Sequence, residues 1–319
     1  MSAFLVLKVD VDTYHGTLEG VPRLLDLFAK LDVKATFLFS LGPDNTGKAI
    51  RRIFRKGFVT KVLSASPAAS YGIRTMLYGT VLPAPEIGTR REAIRRMREV
   101  AAAEHEVGIH AWDHVAWHDR LPSMSREEVT TTFGRAAARF AEIFGERARV
   151  AGAPGWTANA LSVEAYEAEG IEVSSDTRGG EPFFPERSDG RASTVLEIPS
   201  TLPTLDELLA LPGAGAGSRT EQACESLRAR VREKDRSGVG SSRNVTEVHS
   251  IHTEIEGGPA FSASFARLLA GWRSDGVRFL TLEEQGRTSR SAGAPPVRKL
   301  TFTRLPGRAT PVATGGETA

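Results

Sequence analysis

Three short stretches hold the side chains whose types and spacing would do chemistry: Lys8-Val-Asp-Val-Asp-Thr13, His110-Ala-Trp-Asp-His114 and Ser250-Ile-His-Thr-Glu254. Asp10 and Asp12 are two apart, so on a strand both point to one face. Ionised side by side they repel, and a cation belongs between or beside them. A strand-end turn with solvated acids is the plainer alternative. His110 and His114 are four apart, and on a helical turn their rings share one face and can bite one metal. With Asp12 as third ligand the set is two nitrogens and one oxygen. That suits zinc, and also cobalt, manganese or nickel, with a water in the open position. Ordinary surface or core histidines would also have this spacing. His252, with Glu254 and Glu256 close behind, can donate a proton to a leaving group, unless it is a core histidine. His249 lies three residues earlier and faces away from His252 in a strand. His118 is one turn too far along to join the metal set.

Six of the seven histidines fall in 105–118 or 249–252. Something must bring these distant stretches together, and the pattern of elements shows what. Apolar or β-branched runs predict strands at 4–9, 34–39, 106–110, 149–153, 171–174, 194–198, 245–251 and 277–281. Helical periodicity predicts helices at 19–31, 47–63, 90–103, 125–144, 158–169, 204–210, 221–234 and 262–274. Ser125-Arg-Glu-Glu128 is a capping box, and Gly145 and Gly170 suit helix C-terminal caps. The alternation predicts repeated βα units on a parallel sheet, closed as a barrel or open and doubly wound. Each polar cluster follows its strand, at the rim where such folds assemble sites.

The chain has 319 residues, 40% hydrophobic and 25% charged, as in a soluble globular protein. A net charge of +2 gives no case for nucleic acid. One cysteine, Cys224, excludes an intramolecular disulfide and fits a reducing compartment. No run of about 18 apolar residues predicts a membrane span. The first residues read as a core strand with no cleavable leader, so the expected location is the cytoplasm. Residues 1–287 read as one catalytic domain with a surface excursion at about 211–244. From 288 to 319 periodicity is lost, and a flexible tail is expected.

Seven segments, in order, carry a resemblance. They are Val9-Asp-Val-Asp-Thr13 with its continuation to Leu25, Gly42-Pro-Asp-Asn45, His110-Ala-Trp-Asp-His114, Ala153-Pro-Gly-Trp156, Ser175-Asp-Thr-Arg-Gly179, Thr201-Leu-Pro-Thr204 and Ile251-His-Thr-Glu-Ile-Glu-Gly257. The chain resembles the polysaccharide deacetylase (NodB-homology) superfamily from about residue 4 to about 285. Within it, the segments are most similar to members that remove a formyl group from a sugar carried on undecaprenyl phosphate. The resemblance implies a deformed (β/α) barrel of about seven parallel strands. It implies metal-assisted hydrolysis of an N-acyl group, with Asp10 as base, Asp12, His110 and His114 as metal ligands, and His252 as general acid. The superfamily's arginine that orients the base should fall near Gly152, where glycine cannot do that job. Arg178 is the expected substitute. Asn45 and Trp156 lie in matching segments and are expected to meet substrate.

Residues 47–63 carry Lys48, Arg51, Arg52, Arg55, Lys56 and Lys61 with no acid, while Ile50, Ile53, Phe54 and Phe58 fall roughly on one helical face. A basic amphipathic helix of this kind lies at an anionic membrane surface. Arg51 and Arg55 are also placed to meet a substrate phosphate. Peripheral attachment at the inner face of the inner membrane is expected. Deacetylation of another amino sugar or glycan is the alternative reaction. A sugar-binding module that has lost catalysis is the alternative class, against which the intact acids and histidines speak.

Overall fold

The computed structural model describes residues 3–49, 74–211, 219–237 and 246–316. Seven parallel strands curve into a partly closed barrel. They are β1 (Phe4–Val11), β2 (Thr36–Ser40), β3 (Glu106–Ala111), β4 (Val150–Ala151), β5 (Val173–Ser174), β7 (Leu196–Glu197) and β8 (Thr246–His252), with β6 (Phe184–Pro185) outside this sheet. The order across the sheet is β7-β5-β4-β3-β2-β1-β8, and β9 (Arg278–Leu280) adds to β1. Strand β1 is therefore central, which explains why Leu5, Val6, Leu7, Val9 and Val11 are all fully buried. A parallel strand covered on both faces reads as a continuous apolar run.

The two faces of β1 do different work. Leu5, Leu7, Val9 and Val11 join the large core under the outer helices. Val6 points inward and meets Leu38, Val150, Val173, Leu196, Ile198, Val248 and Leu282. Alternation then places Lys8 and Asp10 above Val6 on the inner side, one pleat higher each. The barrel interior is thus apolar at its floor and ionic at its rim.

The outer layer includes α1 (Val21–Leu31), α2 (Arg91–Ala102), α3 (His114–Arg120), α4 (Arg126–Phe144), α5 (Ala160–Glu169), α6 (Leu205–Ala210), α7 (Arg219–Ser237), α8 (Ser262–Ser274) and α9 (Leu282–Ser291). The capping box at Ser125 is formed, and Gly145 and Gly170 end their helices in the left-handed region, as those residue types require. Helix α7 buries Leu227 and Val231, so the middle of the expected surface excursion is packed. Most of the basic segment 47–63, with Arg51 and Arg55, lies outside the described residues.

Two elements differ from expectation. Helix α9 was not anticipated. Its Leu282 plugs the barrel floor, while Glu106 accepts hydrogen bonds from the backbone N–H groups of Leu282 and Glu283 at 3.0 Å each. The expected flexible tail is folded wherever it is described, up to residue 316. Strand β10 (Val297–Arg298) pairs with β6, and β11 (Leu300–Thr303) forms a hairpin with β12 (Val312–Gly315). The backbone N–H of Arg178 donates to the Ala313 carbonyl at 2.9 Å, and Val312 and Ala313 are fully buried. Backbone pairing needs no hydrophobic periodicity, so this segment has little signature in its residue types.

Candidate metal centre and active site

The ladder register sets a carboxylate beside an imidazole. Asp10 on β1 is the direct neighbour of His252 on β8, and the Thr253 N–H donates to the Asp10 carbonyl at 3.2 Å. On the other side, β2 and β3 slip by one residue. Phe39 pairs with Ile109 and Ser40 with Ala111, so His110 has no partner in the ladder. By alternation His110 shares the inner face with Gly108 and Glu106, and its Nδ1 lies 2.6 Å from the Gly152 carbonyl oxygen.

His114 arrives differently. The spacing of four is bridged by a strand end, a bend and the first residue of α3, not by one helical turn. Asp113 caps that helix, accepting from the Ala116 N–H at 2.9 Å, and Asn45 donates to its other oxygen at 2.7 Å. Asn45 therefore braces the helix that delivers His114. The two imidazole centroids are 5.3 Å apart.

Asp12 completes the cluster. Its Oδ1 is 3.2 Å from Nε2 of His110, and its Oδ2 is 3.5 Å from Nε2 of His114. One donor atom from each of the three residues lies within 4.8 Å of the others. The Gly152 carbonyl can only accept, so it takes the proton on Nδ1 of His110 and leaves Nε2 of the neutral ring as a bare lone pair. A lone pair facing a carboxylate oxygen calls for a cation between them. Oδ1 of Asp10 and Oδ1 of Asp12 are buried without a hydrogen bond. Burial opposes ionisation of Asp12, yet His114, His110 and His252 hold its carboxyl well below the usual range. Two nitrogens and one oxygen at these spacings fit a divalent cation with an open position.

The cation beside Asp10 is Lys8, in place of the expected Arg178. The fully buried Lys8 ammonium lies 3.6 Å from Oδ2 of Asp10 and donates to the Ser175 carbonyl at 2.9 Å. Arg178 spends its donors elsewhere. It gives two bonds to Glu207 at 2.7 and 2.9 Å, one to the Ser200 carbonyl and one to the Leu202 carbonyl. The geometry at Gly152 shows why no arginine stands there. A Cβ at that position would fall 2.4 Å from Cδ1 of Leu38 and 3.4 Å from Cε of Lys8. The space is taken by Leu38, with Lys8 in ordinary contact beside it. A lone lysine inside an apolar strand, two residues before Asp10, was the available signal.

Trp156 is buried in the wall behind these groups rather than laid open to solvent. Its Nε1 donates to Ser200 Oγ at 2.9 Å. Lys8, Arg178 and Arg308 stand 5.3, 4.8 and 4.6 Å from its ring centre. An aromatic face stabilises each cation.

His252 is half-buried, and loss of solvent alone would lower its pKa. The carboxylates of Asp12, Asp206, Asp10 and Glu256 outweigh burial and raise it to about 9. The acids behind it also fasten the loop. Glu256 accepts from the His252 N–H at 2.9 Å, while Glu254 accepts from Thr13 N–H at 3.1 Å and Thr13 Oγ1 at 2.5 Å. Asp206 was not singled out from sequence, because it lies far from the histidines along the chain. His249 faces outward against Trp272, and burial pushes its pKa down to about 3, so it is a neutral core residue. His118 lies beside Asp119 and Thr310.

The family model for polysaccharide deacetylases matches residues 10–174, about half of the chain. The chain belongs to the polysaccharide deacetylase family. It is accordingly a hydrolase of amide carbon–nitrogen bonds. The chain is 30% identical over 278 residues to the probable 4-deoxy-4-formamido-L-arabinose-phosphoundecaprenol deformylase ArnD of Shewanella sediminis, covering 87% of this chain and 84% of that protein. It is 27% identical over 294 residues to the protein of the same name from Wigglesworthia glossinidia brevipalpis, covering 92% and 96%. Among solved structures, a probable polysaccharide deacetylase from Pseudomonas aeruginosa PAO1 superposes with a TM-score of 0.61 at 16% identity, over 91% of each chain. That likeness establishes the fold.

Proposed function

We propose that the chain hydrolyses the formamide of 4-deoxy-4-formamido-L-arabinose-phosphoundecaprenol, giving formate and the free amino sugar. The observation that carries this reading is the ladder pairing of Asp10 with His252 beside the Asp12–His110–His114 cluster. It sets a proton acceptor and a proton donor at one rim, which amide hydrolysis requires. The relatives' names supply the substrate.

Asp12, His110 and His114 would hold a divalent cation, zinc, cobalt, manganese or nickel. When bound, it supplies Lewis acidity for the formyl oxygen and acidifies a water. Oδ1 of Asp10, which lacks a hydrogen bond, takes a proton from the attacking water. Lys8 stands 3.6 Å from the second oxygen of Asp10 and fixes it. The new C–O bond forms at the formyl carbon as the C–N bond breaks, and His252 gives its proton to the departing nitrogen. Formate leaves with the oxygen from water. Assistance by such a pair is worth about 10²–10⁴-fold.

The product fits modification of lipid A, which lowers surface negative charge and confers resistance to cationic peptides such as polymyxin. An undecaprenyl chain stays in the bilayer, so the enzyme works as a cytoplasmic protein attached peripherally to the inner membrane. The six cations of segment 47–63 support that attachment. Among the described residues no helix is long and apolar enough to cross a membrane.

The test is formate release from a short-chain polyprenyl-phosphate formamido sugar, beside its N-acetyl analogue. Formate from the first with little acetate from the second is expected. Acetate alone would move the reading to a general N-deacetylase. Flotation with anionic liposomes, abolished by neutralising Arg51, Arg52, Arg55 and Lys56, tests the membrane arm, and absence of binding would remove it.

A further inference from the structure

The turn between β11 and β12 lies against the site. Gly307, at φ +81°, brings it so close to α6 that a Cβ there would fall 2.7 Å from the Glu207 carbonyl oxygen. Thr310 Oγ1 lies 3.3 Å from Nε2 of His118, on the helix that begins with His114. Ala313 is held by the backbone of Arg178. The turn is therefore fastened to three elements that also build the rim.

Arg308 projects from this turn. Its guanidinium stacks on Trp156 at 4.6 Å, the ring that also meets Lys8. Its charge acts on Asp206, and Asp206 in turn acts on His252. Two independent relations thus tie Arg308 to the groups around the base and the acid. Its side chain is 14% exposed, and among the described residues its one ion pair is with Glu207 Oε1 at 3.5 Å. That oxygen already accepts from Arg178 at 2.7 Å. Among the described residues the Arg308 guanidinium makes no hydrogen bond. A guanidinium stacked on an aromatic face keeps its N–H edge free for a carboxylate or phosphate.

We propose that Arg308 binds the phosphate of the substrate, making the C-terminal hairpin part of the substrate site. This rests on the deformylase reading for the identity of the anion, and not for the existence of the site. The carrier phosphate sits on the same sugar as the formamide, and a cation one aromatic ring away from Lys8 is placed to meet it.

The experiment compares kcat/KM for the phosphate-linked formamido sugar with that for its neutral methyl glycoside, in wild type, Arg308→Lys and Arg308→Gln. The ratio of the two, phosphorylated over neutral, is expected to fall about 10- to 100-fold in Arg308→Gln, mostly through KM, and less in Arg308→Lys. Equal loss on both substrates, leaving the ratio unchanged, would make Arg308 a brace for Trp156 and overturn the assignment. A thermal midpoint near that of wild type checks that each variant is folded. If wild type releases formate from neither sugar, the deformylase reading fails, and calorimetric titration with octyl phosphate decides the site. Binding weakened at least tenfold in Arg308→Gln upholds it, and equal binding overturns it.

Discussion

Lys8 and Asp10 stand one pleat apart on the same face of the central strand, with Nζ 3.6 Å from Oδ2. Both are buried, so this contact is screened little by solvent. The lysine holds the place beside Asp10 where Arg178 was expected. Replacing Lys8 with Met is expected to lower kcat about 100-fold, because a loosened base misaligns. Metal content should stay at the wild-type level. Metal analysis beside steady-state kinetics checks this, and wild-type kcat in that variant would place the orienting cation elsewhere.

The three-residue cluster and the base separate by metal content. His114→Ala is expected to lose the bound divalent ion, and Asp10→Asn to keep it while turnover drops by about 10²–10⁴-fold. Elemental analysis after gel filtration reads both variants. Full metal occupancy in His114→Ala would refute its assignment as a ligand.

His252 predicts a pH dependence. Its folded pKa is raised to about 9, above the usual 6.5. In the proposed mechanism the protonated ring is the proton donor, so kcat should decline as pH rises through that pKa. A divalent ion on Asp12 cancels part of the raising charge, so the alkaline limb of the loaded enzyme lies below 9. In metal-free protein the same shift is a stability term, fully present below 6.5 and lost as pH rises through about 9. His252→Gln should remove the alkaline limb and flatten the thermal midpoint over that window. A limb that survives the substitution belongs to another group.

Arg178 and Glu207 form a buried pair at 2.7 Å. Removing the arginine leaves a buried carboxylate with the Thr204 N–H at 3.1 Å and the Arg308 guanidinium at 3.5 Å. Arg178→Gln is therefore expected to destabilise the fold by about 3 kcal/mol. The pH–rate profile of the folded enzyme should keep its shape, because Arg178 does not touch Asp10. Urea unfolding and kinetics report the two effects separately, and a shifted acidic limb would return Arg178 to the base.

Asn45 and Trp156 both lie in segments that match the family, and both were expected at the substrate. Asn45 donates to Asp113 and steadies the cap of α3. Trp156 is buried and arranges cations around its ring. Their types are compatible with either use, and only their neighbours distinguish the two.

Much of the site could be read from local pattern. The apolar run of β1 marks a central strand, the period of two sets Asp10 and Asp12 on one face, and His252 ends another strand. Those are short-range consequences of backbone geometry. Three things depended on contacts between residues far apart in the chain. The filled space at Gly152, shared with Leu38 and Lys8, decides which cation meets Asp10. The register of β1 on β8 sets Asp10 beside His252, and a register cannot be read from either strand alone. The hairpin at 300–315 brings Arg308 to Trp156 through backbone hydrogen bonds, which leave little trace in side-chain pattern. Local sequence thus determined the strands and most of the ionisable groups at their ends. Tertiary packing decided which of those groups meet, because burial, register and excluded volume are properties of the assembled barrel.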